Sequence, residues 1–91
     1  MKTSEVLYAA AGYIRERGWI QGSFGEHGRP RCMDGALMSA GCRAPWINVD
    51  SYLDRVCGCA SMEFNDKQCK TANEAIAALE IAADIAFAEG Q

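Results

Sequence analysis

The reactive side chains of this 91-residue chain gather in two places. Residues 17–37 hold the only histidine, His27, together with Cys32 and the pair Arg29 and Arg31 around Pro30. Residues 57–69 hold three of the five cysteines, Cys57, Cys59 and Cys69. A cysteine nucleophile needs a lowered pKa and a base. Cys32 stands at the expected start of a helix, where the dipole favours a thiolate, with Arg29 and Arg31 close by and His27 able to approach across a turn. No third, orienting group is evident, and a cysteine is as readily a small apolar core residue. A metal would draw on Cys57, Cys59 and Cys69, with Cys42 or His27. Zinc sites space their ligands as two pairs at C-x2-C or wider, whereas this chain has one C-x-C. A helix continuing through Cys59 would point the two thiols about 200° apart. The spacing therefore assigns no catalytic residue, no metal and no cofactor. A cysteine-dependent enzyme centred on Cys32 and a small metal-stabilised module using Cys57, Cys59 and Cys69 stand as alternatives.

Two other motifs fall short. Gly22, Gly25 and Gly28 make G-x-x-G-x-x-G, which is neither the dinucleotide G-x-G-x-x-G nor a Walker loop. Glu63 and Asp66 flank Phe64-Asn65, and Asn65 and Asp66 read as turn or capping residues ahead of the last helix.

Composition narrows the class. Nine basic and twelve acidic residues leave a net charge of −3, with the basic residues scattered, which argues against nucleic acid or an anionic membrane as partner. No stretch approaches the roughly 20 apolar residues of a membrane span. The amino-terminal apolar run is broken by Gly12 and by Arg15, Glu16 and Arg17, and reads as an amphipathic helix instead of a signal peptide. An odd count of five cysteines suits a reduced, cytoplasmic protein.

The positioning elements follow from periodicity. A first helix is expected from Ser4 to Arg17, capped by Thr3, with Val6, Leu7, Ala10, Ala11, Tyr13 and Ile14 on one face. Gly18 suits a left-handed cap. Trp19–Phe24 and Arg29–Met33 read as two short strands of a hairpin turning near His27. A short second helix is expected over Met33–Ala40 and a third from Asp50 to Cys59, joined by the connector Ala44-Pro45-Trp46. Met62–Lys70 reads as a polar loop. Thr71 with Glu74 is a capping box opening a last helix that runs to Glu89. Its main face carries Ile76, Leu79, Ala83, Ala86 and Phe87, while Ile81 and Ile85 lie opposite. Either this helix is covered on two sides, or Ile81 and Ile85 with Ala78 contact a partner or a second copy.

The strings Arg17-Gly18-Trp19-x-Gln21-Gly22, Gly28-Arg29-Pro30-x-Cys32-x-x-Gly35-Ala36-Leu37, Phe64-Asn65-Asp66 and Thr71-x-x-Glu74 with Leu79 span nearly the whole chain. Together they resemble a family of small uncharacterised proteins of actinobacteria and their phages. This chain departs at Gln68-Cys69-Lys70, where that family tends to Pro-Gly-Arg, and is shorter than many members in the middle. The resemblance implies a phage-associated accessory protein and transfers no catalytic residue.

The combined expectation is a single domain over residues 1–91, mainly α, a compact bundle of about four helices with a small β-hairpin between helices 1 and 2. Its expected role is non-enzymatic binding of a protein partner or of itself as a homodimer. Small proteins of this class often inhibit a host complex or a defence system. The expected contact residues are Ile81, Ile85 and Glu80 on the last helix and His27, Arg29 and Arg31 at the hairpin tip.

Overall fold

Small side chains bring the two longest helices together. In the computed structural model, which describes residues 1–43 and 46–91, α1 (Thr3–Arg17) buries Val6, Leu7, Ala10, Ala11 and Ile14. Against it lies α5 (Ala72–Ala88), which buries Ala75, Ile76, Leu79, Ala82, Ala83 and Ala86. Rows of alanine let the helix backbones approach closely. The pair runs antiparallel: the Tyr8 hydroxyl donates to Asp84, Arg15 pairs with Glu80 at 3.2 Å, and the Ser4 N–H donates to the Gln91 carbonyl. No helix among the described residues is long and apolar enough to cross a membrane.

Between them come α2 (Met33–Ser39), α3 (Ile47–Cys57) and α4 (Ser61–Glu63), which runs into a five-residue π segment, Phe64–Gln68. Thr3 is the first helical residue of α1 instead of its cap, and Glu5 accepts from the Lys2 N–H at 3.0 Å. Thr71 Oγ1 accepts from the Glu74 N–H at 3.3 Å as a cap should. Glu74 reciprocates one residue early, accepting from the Lys70 N–H at 3.2 Å. The third helix starts earlier than expected, at Ile47, and ends at Cys57. Ala44 and Pro45 of the expected connector lie outside the described residues.

Three expectations are corrected. No strand is present among the described residues, so the hairpin is not formed. Residues 19 and 31 make only one isolated, parallel bridge. Gly22, Gly25 and Gly28 have φ of 77°, 69° and 87°, so the backbone turns every third residue and no extended run is left to pair. The polar loop at Met62–Lys70 is instead helical over Ser61–Gln68. Phe87 is 70% exposed instead of buried with Leu79. The reason is that α5 is covered on two sides. Tyr52 and Arg55 of α3 both bond the Glu89 carboxylate, at 2.9 and 2.8 Å, from the flank opposite α1. The buried arc thus swings towards Ala78, and Phe87, about 80° around from Leu79, falls off its edge.

The irregular segment 18–32 is held by one side chain. Asn65, 1% exposed in the π segment, accepts from the Trp19 indole N–H at 2.6 Å and from the Met33 N–H at 3.0 Å. Its amide donates to the Ile20 carbonyl at 3.2 Å and to Asp66 Oδ1 at 2.9 Å. Asp66 also accepts from the Gly22 N–H at 2.9 Å, and the Gln21 amide donates to the carbonyls of Asn65 and Cys69 at 3.1 and 2.9 Å. Asn65 and Asp66 therefore tie the loop down and do not cap α5.

Two substitutions follow from this packing. Asn65→Ala strands two buried donors, Trp19 Nε1–H and the Met33 N–H, and should cost about 3 kcal/mol in urea unfolding. Asn73→Ala, on the exposed face of α5, should stay within about 0.5 kcal/mol. A Cβ at Gly35 would lie 2.3 Å from the Phe24 carbonyl oxygen, whereas one at Gly12 meets nothing within 4 Å. Gly35→Ala should lower stability by about 1–3 kcal/mol and Gly12→Ala raise it by about 0.5–1 kcal/mol. Equal melting temperatures for the two variants would contradict this packing.

Candidate functional site

The six residues expected to meet a partner fall in two regions, and the fold separates them. Tyr13 and Arg15 of α1 point about 200° apart. Tyr13 holds the loop tip: its hydroxyl donates to the Arg29 carbonyl at 2.6 Å and accepts from the Gly28 N–H at 2.9 Å. Arg15 holds Glu80 of α5. Helix α1 therefore stands between the tip and the α5 residues.

At the tip, Arg29 is exposed, with Glu26 4.0 Å away. Arg31 is not, which corrects the expectation that it stays in water. It is 8% exposed, and its guanidinium donates to the Phe24 carbonyl at 2.9 Å and to Ser39 Oγ at 2.8 Å. Gly35 has no Cβ, and this lets Arg31 lie flat on α2, since a Cβ there would stand 2.8 Å from Arg31 Nε. Ser39 Oγ also hydrogen-bonds His27 Nδ1, at 2.9 Å. His27 is thereby exposed but tethered, with its ring 6.1 Å from that of Tyr13.

On α5 the two isoleucines part company. Ile85 is half-buried against the core and Ala78 is buried, because α3 covers that flank. Ile81 is 50% exposed, and Ala77 and Ala88, also exposed, lie within about 40° of it around the helix. Glu80 is half-exposed and engaged by Arg15.

The cysteines serve packing. All five are free. Cys32 caps α2, its Sγ accepting from the Gly35 N–H at 3.3 Å, and is buried; desolvation pushes its pKa up despite that bond. His27 Nδ1 bonds Ser39, and among the described residues no hydrogen bond joins the imidazole to this thiol. Burial pushes Cys57 up to about 12 and Cys69 up to about 11. Gly58, at φ 73°, ends α3 in the left-handed region and turns Cys59 back towards the Cys57 carbonyl. Among the described residues no group of three His, Cys, Asp or Glu side chains is placed to hold a metal ion.

Other groups near these residues were not anticipated as a site. Asp34 of α2 and Asp50 and Asp54 of α3 line one cavity with Trp46. The four-residue spacing of Asp50 and Asp54 was visible as one helix face, but Asp34 reaches it only through the fold. Asp66 is held below the usual carboxylate range by the Gly22 N–H and the Asn65 amide.

A family model described as a family of unknown function (DUF6197) matches residues 1–85. No curated protein and no solved structure matches the chain.

The thiols give a pH-dependent test. Unfolded cysteines ionise near 9.0, while folded Cys57 holds its proton to about 12. Between those values the unfolded chain binds fewer protons than the folded one, so stability should fall as pH rises through that window. Iodoacetamide at pH 8, read by peptide mass mapping, should leave Cys57 and Cys69 unmodified until denaturant is added. Rapid labelling of either in the folded protein would refute the assignment.

Proposed function

We propose that this chain, which belongs to that family of unknown function, works by binding a protein partner through the outer face of α5 and not by chemistry of its own. The observation that carries this reading is Ile81: a large apolar side chain, half-exposed, standing opposite the core and flanked by exposed Ala77 and Ala88. An isolated exposed apolar residue is ordinary, but an apolar stripe bordered by fixed polar groups is a contact surface. The borders are fixed because Asp84 is bonded by Tyr8 and Glu80 by Arg15. Ile85 lies at the margin of the stripe. At the loop tip, His27 and Arg29 form a second, separate contact region.

The partner is another protein or a second copy of the chain. The resemblance noted in the sequence supports a phage-associated accessory protein acting inside the cell on a host complex, including a defence system. Buried, protonated Cys32, Cys57 and Cys69 favour binding over a cysteine-dependent reaction.

Ile81→Glu tests the surface without touching the core. The variant should keep the circular dichroism spectrum and unfolding midpoint of the wild type. Its self-association by analytical ultracentrifugation, or its affinity for a co-purifying protein, should drop about thirtyfold, as for loss of an interface hot spot. An unchanged association constant would rule out α5 as the contact.

A further inference from the structure

Two cavities open side by side where the 19–32 loop meets α2, α3 and α4, and Met62 lines both. The first, of about 190 Å³, is lined by Phe24, Cys32 and Met62 together with Gly22, Ser23 and Asp66. Phe24 and Met62 are 43% and 46% exposed, so apolar surface faces solvent there. The second, of about 240 Å³, gathers Asp34, Asp50 and Asp54 beside Trp46. No lysine or arginine lines either cavity, and among the described residues none of the three carboxylates is in an ion pair. Ser61 supplies one neutral hydrogen bond, to Asp34 at 2.6 Å. Burial raises the Asp34 and Asp50 carboxyls, and Asp54 and Asp34 raise Asp50 further. The carboxylates repel one another, and among the described residues no ion pair relieves them.

We propose that this paired cleft binds an extended segment of a partner protein that carries an apolar side chain next to, or two residues from, a lysine or arginine. The apolar group enters between Phe24 and Met62, and the cation meets Asp34, Asp50 and Asp54 with the Trp46 ring alongside. Charge complementarity selects this occupant: the acidic half has no counter-charge among the described residues, and an indole face adds to the attraction for a cation. Side chains at i and i+2 of an extended segment lie on one side, roughly 7 Å apart. That spacing suits two cavities that share in their lining Met62, whose flexible thioether adapts to different apolar groups. A free cation lacks the apolar half, and exposed carboxylates alone hold it weakly. No residue of the α5 stripe lines either cavity, so this site does not depend on the surface assigned to Ile81.

A displayed library of random peptides, panned on the intact wild-type chain, tests the cleft. Enriched peptides should carry Lys or Arg within two positions of Leu, Met or Phe. The best of them should bind Asp50→Asn/Asp54→Asn about five- to tenfold more weakly. Both side chains are exposed and make no hydrogen bond among the described residues, so that variant should keep its fold. Ile81→Glu should bind the same peptide as the wild type does. Enrichment of peptides without a basic residue, equal binding by the double variant, or no enrichment over a blank support would each overturn the proposal.

Discussion

Asn65 has two acceptor lone pairs and two amide hydrogens, and all four are used inside this protein. Its partners come from three places: the Trp19–Ile20 backbone and indole, the first N–H of α2, and its own neighbour Asp66. A buried carboxamide left half-satisfied would cost more than a plain apolar core, so the three must be ordered together or not at all. Gln21 and Gly22 extend the same seam by bonding the carbonyls and carboxylate of the segment that presents Asn65. A π turn suits this task. The Cys69 N–H reaches back five residues to the Phe64 carbonyl, and that one wide turn presents Asn65 to the interior from a polar stretch.

The rest of the irregular region follows from that seam. Once Met33 is fixed, Cys32 lies buried at the start of α2 and its sulfur caps the Gly35 N–H, so the thiol that looked most like a nucleophile is spent on structure. Arg31 is drawn inward by the Phe24 carbonyl and Ser39, and the absence of a side chain at Gly35 gives it room. The same path brings Phe24 and Met62 into the lining of one small cavity. Cys32 and Arg31 thus become scaffold.

The helical frame was legible from local pattern. Apolar spacing in α1 and α5, and the Thr71–Glu74 cap, are properties of residues within one or two turns of each other. The failures share a different cause. Trp19–Phe24 reads as a short strand, but the Trp19 indole bonds Asn65, 46 residues away, and such a bond leaves no mark on neighbouring sequence. Ser61–Gln68 reads as loop because its two buried residues, Ser61 and Asn65, are themselves polar. A helical wheel for α5 could not say that α3 would cover the Ala78 flank, and so could not separate Ile85 from Ile81 or place Phe87 outside. Of the candidate contact residues, Ile81, Arg29 and His27 remain at the surface as their types suggested. Arg31 does not, because its burial depends on carbonyl and hydroxyl partners that only the folded loop brings near.

The most direct test of this account is hydrogen exchange at the Trp19 indole, followed by nuclear magnetic resonance in deuterated buffer. A bond at 2.6 Å to a buried carboxamide predicts that this N–H exchanges only through global unfolding, at the rate of the slowest backbone amides of α1 and α5. Exchange within the dead time, while those helix amides stay protected, would show that the loop is not locked to Asn65 and that the cleft it shapes is not preformed.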